Sequence, residues 1–525
     1  MNHSRHSTLP ALFTMLVSAC VIATAPGCGR YVPALFADRP VITDVHDDKP
    51  IDVPSRRSFD EREHISDIYL RRPLFEVVRV GDFPTAGDVN AMDEVPTSSW
   101  YDASQPARFP SDVVPPTLPM VAIAESPVIA DEALVVKDAR GARYELLSDP
   151  PENSGLLTGA EVLAGYLLRG IGLRAPRSWV LSLPASGITS DGDKSSSERL
   201  TKWLARKAAA AEGGRRVSAT LWSGGVDVGG AGDYSKRSDD PNDRVPHADR
   251  RTLRAMKVFA QWLGWSQFSV KSTRDVYVGR GGEGHLVHYF IGLSRTLGTQ
   301  DLHPKDTVDE TGGGFGWNLI TLGLSPPTVT KARVGPSPSV GWLPKDLVAG
   351  DFSVSPPYSP FVRFTPQDEY WAAKRLMDVP EEALKAGIEA AFVQTEAGKH
   401  LTDVLTNRRR LLIAHAMTVV TPIDVATNVG RAVWVRDRAI VAGEEKVSET
   451  EYEIAFLDHD GTARAPRVRI RAAGELTSIP IPKTLLFGLV VLRVRAVRAG
   501  VPAPRACDIH VRADRANARV IGIRH

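Results

Sequence analysis

The sequence predicts an α+β protein in two parts: a core that is β-rich at first and mostly helical after, which the resemblance given below implies to be bilobal with a small first lobe, then an all-β sandwich. Three observations predict it. Residues 116–185 read hairpin, helix, strand; residues 198–420 are dominated by helices with a 3.6-residue apolar period; and beyond Thr421 short alternating apolar runs recur between turn residues. The 525 residues are 43% apolar and 24% charged with a net charge of +2, ordinary for a globular chain and without the charge excess of a nucleic-acid binder.

The N-terminus reads as a targeting segment. Arg5 lies in a polar start, and Leu9 to Ala19 form an apolar stretch too short to span a bilayer. It ends Leu16-Val17-Ser18-Ala19-Cys20, so residues 1–20 are expected to be a lipoprotein signal peptide with Cys20 lipidated; Cys28 is the alternative site, and a plain secretory signal the alternative reading. The implied location is the bacterial outer membrane, periplasmic or surface-facing. The third cysteine, Cys507, lies far away, and three cysteines make neither a disulfide framework nor a cysteine metal site.

Residues 29–115 are rich in Pro, Asp and Arg and read as an extended arm wrapping the core, with a short strand at Leu74 to Val80. In Thr97-Ser98-Ser99-Trp100-Tyr101 the aromatic pair is expected to plug a groove, and the hydroxyls to form a turn or helix cap. The first lobe, 116–185, holds a hairpin from Ala133 to Leu147, a helix from Thr158 to Ile171 and a strand at Trp179 to Leu183. A polar linker over 186–199 leads to the second lobe at 198–420, which opens with a basic helix from Glu198 to Ala211 and a strand from Arg216 to Trp222. The acid-rich turn Asp239 to His247 precedes a helix from Asp249 to Trp262 and two strands, one within Gly264 to Val278 and, after the turn Gly279 to Gly284, a second from His285 to Gly298. Turn-forming and capping roles suit those acids better than a metal site, because their spacing departs from a calcium loop. Residues 299–365 are loop-rich. Three helices follow, starting at Thr365-Pro366, Val379-Pro380 and Thr395, the last carrying Arg408-Arg409-Arg410, for which salt links to nearby acids are expected. The sandwich, 421–525, carries six or seven strands, with a hairpin turn at Asp458-His459-Asp460-Gly461.

Hairpin, helix, strand, then helix, loop, hairpin and an aromatic-apolar strand resembles a protein kinase. More narrowly, the stretch Gly264 to Ser294 resembles a family of bacterial envelope lipoproteins with an atypical kinase-like core, distantly similar to HipA-type and spore-coat kinases. In that family the loop looks like Asn-His-x-Asp-x-Lys-x-x-Asn and the strand ends Tyr-Leu-Ile-Asp-Phe-Gly. The resemblance places the catalytic base at Gln267, the metal-binding Asn at Ser272 and the metal Asp at Gly292. The first-lobe Lys falls on Leu147, and its helix partner is Glu161, read as a surface residue without that Lys. Lys137 across the hairpin is a weak substitute.

Glutamine is no general base at neutral pH, and glycine brings no oxygen to Mg²⁺. Three function classes follow. The first is a pseudokinase-like binding or scaffolding module, lipid-anchored at the envelope, without cofactor, metal or nucleic acid. The second is an envelope protein that binds glycan or protein through its sandwich. The third is an atypical phosphotransferase recruiting Asp275, Asp243 or Asp249.

Overall fold

The computed structural model describes residues 33–72, 85–104, 114–222, 224–300, 303–304, 307–309, 330–332, 335–392, 395–485 and 488–525. Cys20, Cys28 and the strand expected at Leu74 to Val80 lie outside them. The described chain is a mixed α/β body with one large sheet and many helices, closed by an all-β unit.

The arm's helix α1 (Glu61–Ser66) precedes a seven-stranded sheet. Its strands are β1 (Met120–Ala122), β2 (Leu134–Lys137), β3 (Arg143–Ser148), β4 (Arg177–Leu183), β5 (Ile188–Ser190), β6 (Ala210–Ala211) and β7 (Gly214–Leu221), in the order β4-β7-β3-β2-β1-β5, with β6 on β7. Helices α2 (Leu156–Gly170) and α3 (Lys194–Ala205) accompany it. On β3, Tyr144 and Leu146 enter the core with Val217 and Ala219, which leaves Glu145 and Leu147 on the opposite face. The sheet therefore runs past residue 185, beyond the end expected for the first lobe. Strand β7 inserts between β3 and β4, pairing Leu146 with Ala219 and Val180 with Ser218. Helix α3 starts earlier than the expected Glu198, because the Asp193 side chain accepts the amides of Ser195 (2.7 Å) and Ser196 (3.3 Å).

Helix α2 is buried almost all round. The Asp149 carboxylate accepts the amides of Gly155, Leu157 and Thr158 at 2.8, 2.8 and 2.9 Å, satisfying donors a helix start otherwise leaves open. Gly159 faces Phe392 so closely that a Cβ there would sit 2.5 Å from the ring.

The helical part holds α4 (Arg251–Arg254) and α5 (Met256–Leu263), one apolar helix interrupted at Ala255 and ended by Gly264 at φ 65°. Next come the sheet β8 (Val226–Asp227), β9 (Thr273–Val278) and β10 (His285–Phe290), and the short pairs β11 (Thr299–Gln300) with β12 (His303–Pro304) and β13 (Thr307–Asp309) with β14 (Thr330–Ala332). Then follow α6 (Ser359–Val362), α7 (Pro366–Met377), α8 (Glu381–Phe392) and α9 (Glu396–Val419). The arm is part of this core. Trp100 stacks on His288 at 4.1 Å, Tyr101 meets Trp371 edge-on, and the Ser99 hydroxyl donates to Asp47 at 2.6 Å. Among the described residues the three consecutive arginines of α9 make no close ion pair with an acid: Arg408 donates to the carbonyls of Gln261, Trp262 and Pro344, Arg409 to that of Val379, and Arg410 to the Asn407 side chain. They sit against backbone ends, where carbonyls rather than carboxylates are the available acceptors.

The terminal unit is a sandwich. Strands β15 (Ile423–Val429), β16 (Ala432–Asp437) and β19 (Leu476–Pro480) pack on β18 (Ala463–Arg471), β17 (Thr450–Leu457), β20 (Gly488–Arg498), β21 (Cys507–Ala513) and β22 (Ala518–Arg524), with a helical turn α10 (Arg438–Val441) after β16. Val433, Val435 and Ile479 of the first sheet meet Ile454, Leu492, Val494 and Ile509 of the second. The expected turn at Asp458–Gly461 joins β17 and β18, with Gly461 at φ 78°. Cys507 is free and fully buried. The sandwich is held to the core by buried charge. Asp93 accepts from Arg251 (2.9 Å) and His525 (2.9 Å), while Lys374 bridges Glu94 and Asp424. No helix among the described residues is long and apolar enough to cross a membrane.

Candidate functional site

A cleft of about 860 Å³ opens between the large sheet and the helical part. Its upper rim is the loop joining β1 and β2, residues 128–132; its floor is the segment 267–274 with Ile291, Gly292 and Ser294; and the arm's residues 56–72 close one side. The fold thus brings Gln267, Ser272 and Gly292 together on one wall.

Two of the three have a structural task. Gln267 lies in the turn between α5 and β9, half-buried. The Ser272 hydroxyl accepts the Ser269 amide at 3.1 Å, and its carbonyl accepts the Ile291 amide at 3.0 Å, fastening the floor to the end of β10. Gly292 turns the chain at φ 75°, with open space where a Cβ would be.

The other two positions lie deeper. Leu147 packs with Leu156, Leu157 and Ala130. Glu161 is no surface residue: it is 1% exposed, and its Oε2 accepts the Ser294 amide at 2.8 Å while Oε1 has no partner. Burial pushes its carboxyl up to about 7, with Glu145 adding like charge. Lys137 is exposed at the end of β2.

Sequence reasoning missed Glu145. Its carboxylate accepts the amides of Val128 and Ile129, both at 2.8 Å, so the rim loop is clamped onto β3. Burial raises the Glu145 carboxyl against those two amides. The signal available was a lone acid two residues before Leu147, hence on the same strand face. Behind the clamp, Ile129, Trp222, Val276 and Ile291 form an apolar cluster between the two parts.

The acids that sequence reading offered as metal ligands are all engaged. Asp275 is fully buried between Arg237 (3.0 Å) and His288 (2.7 Å). Asp243 holds His247 (2.8 Å) and Arg250 (2.6 Å), and Asp249 holds Arg254 (2.6 Å) and Arg363 (2.9 Å). The turn 239–247 is therefore built from ion pairs as well as caps. Among the described residues no three His, Cys, Asp or Glu are grouped to hold a metal ion.

No family model matches the chain, and no curated protein does. Among solved structures, the chain is similar to the crystal structure of a Helicobacter pylori proinflammatory kinase, CtkA, at 11% identity and a TM-score of 0.31, over 55% of this chain and 95% of that one.

Proposed function

We propose that this chain is a protein-kinase-like protein without phosphotransfer, serving as a binding or scaffolding module exported to the cell envelope and anchored there by lipid. One observation carries the reading: the Glu145 carboxylate sits on the amides of Val128 and Ile129. In a kinase the loop over the cleft offers such amides to phosphate. Here the protein's own anion takes them.

The remaining positions support the same reading. Leu147 offers no cation, Gln267 no base and Gly292 no metal oxygen. Ile129 and Trp222 pack with Val276 and Ile291 in an apolar cluster between the two parts. The three-on-five strand order of the terminal unit suits an immunoglobulin- or fibronectin-like sandwich.

Titrating the purified chain with ATP and Mg²⁺ is expected to leave its melting temperature unchanged, and labelled ATP to transfer no phosphate. A Mg²⁺-dependent stabilisation, which any ligand of the folded state must produce in proportion to its saturation, would overturn the reading. Fatty-acid labelling in cells is expected to disappear in Cys20→Ser; its loss in Cys28→Ser instead would move the anchor.

A second reading has its own observation. A groove of about 720 Å³ between sandwich and core is lined by Arg495 and Arg505 beside two arginines that already face acids, Arg493 on Asp508 (2.9 Å) and Arg524 near Asp93 (3.7 Å), and the two further cations favour an anionic envelope glycan bound by the sandwich. Capture of envelope glycan by the full chain, lost in Arg495→Glu/Arg505→Glu, would favour this class over the first.

A further inference from the structure

A second, smaller cavity of about 230 Å³ lies at the start of β4, lined by Arg169, Arg174, Arg177, Trp222, Tyr289 and Asp102 among others. Three arginines against one acid give this half-open space a basic lining. Arg174 is satisfied: Nη2 and Nε donate to the Ser98 carbonyl at 2.9 and 3.3 Å. Asp102 accepts the amide and hydroxyl of Ser104 at 3.0 and 2.6 Å.

Arg169 and Arg177 are different. Arg169 donates through Nη1 to the Pro176 carbonyl, but its Nε is buried without an acceptor among the described residues. Arg177 is half-buried on the first residue of β4 and lies close enough to repel Arg169. Burial, with Arg177 adding like charge, brings the Arg169 guanidinium down to about 9. Glu161 offsets this only in part, since its carboxylate faces the Ser294 amide. Two neighbouring cations, one with an idle buried donor, describe a site made for an anion.

We propose that this cavity binds a small oxyanion, either free phosphate or sulfate or the phosphoryl end of a small ligand, between Arg169 and Arg177. The guanidinium fork matches the oxygens of such a group. The volume is below the roughly 300–1,000 Å³ of pockets that take drug-sized ligands, so a nucleotide does not fit. The inference does not depend on the proposed function, because Arg169 and Arg177 take no part in that reading, although Trp222 borders both sites.

The test is thermal unfolding of the full chain in sodium phosphate, sodium sulfate and sodium chloride at matched ionic strength. Sulfate and phosphate stabilise proteins generally by exclusion, so the comparison is with Arg177→Gln. In chloride, Arg177→Gln is expected to melt at or above the parent, its like-charge repulsion gone. In phosphate or sulfate the parent is expected to gain roughly 1–3 °C more than the variant. Arg169→Gln is expected to lose the same increment; if it does not fold, Arg177→Gln alone decides. Equal gains for parent and Arg177→Gln would leave only the general salt effect and overturn the proposal. Glycerol phosphate acting at lower concentration than inorganic phosphate would assign the site to a phosphoryl ligand; equal potency would assign it to the free anion.

Discussion

Glu161 shows what a single buried carboxyl does to this protein. Its folded value of about 7 lies above the 4.5 of an ordinary glutamate, so folding takes up a proton in the interval between them. Its contribution is fully present below pH 4.5 and is lost as pH rises through 7, a change on the order of 3 kcal/mol. In denaturant titrations, Glu161→Gln is expected to match the parent near pH 4.5 and to exceed it at pH 8. Identical pH dependence in the two proteins would show that this carboxyl does not carry the effect. Gly292 gives a second residue-scale prediction. The space beside it is open, but its φ of 75° is unfavourable to any side chain. Gly292→Asp is therefore expected to fold with a loss of about 1 kcal/mol in chemical denaturation, and to gain no affinity for Mg²⁺ by calorimetry while Gln267 and Ser272 are unchanged.

At the scale of elements, Arg408 joins three segments. Its guanidinium serves carbonyls at the end of α5 and at Pro344, and burial without a counter-ion brings it down to about 10. Arg408→Met removes the donors and leaves those carbonyls open, an expected loss of about 2–4 kcal/mol in urea unfolding. A loss below 1 kcal/mol would mean that water replaces it. Helices were the most legible elements, because α2, α5 and α7 to α9 each carry a helical apolar period and recognisable ends. Pairing was not legible: nothing local to Gly214–Leu221 says that its neighbours are β3 and β4. Nor was the environment of Glu161. A polar residue on an amphipathic helix faces water, but α2 is apolar nearly all round, and in such a helix a lone acid is buried with the rest. At the cleft, the replaced positions were readable one by one. The Glu145 clamp was not, because it depends on where the β1–β2 loop folds back.

The whole molecule is held by charge at the junction of arm, core and sandwich. Burial would raise the Asp93 carboxyl, but Arg251, His525 and Arg524 outweigh it and hold it well below the usual range. That stabilisation is present above the ordinary carboxylate range and is lost as pH falls toward the depressed value. Asp93→Ala leaves Arg251 short of a partner and frees His525, with an expected loss of about 3–5 kcal/mol. Deleting Arg524 and His525 in the same background is expected to add less than it does alone, measured as a double-mutant cycle by thermal unfolding.

Cys507 sits on β21 inside that sandwich, fully buried, its thiol raised by burial. With Cys20 and Cys28 changed to serine, a maleimide dye would have one target, shielded until the terminal unit opens. The labelling rate would then be a clock for that opening, and Asp93→Ala, which loosens the junction, is expected to quicken it.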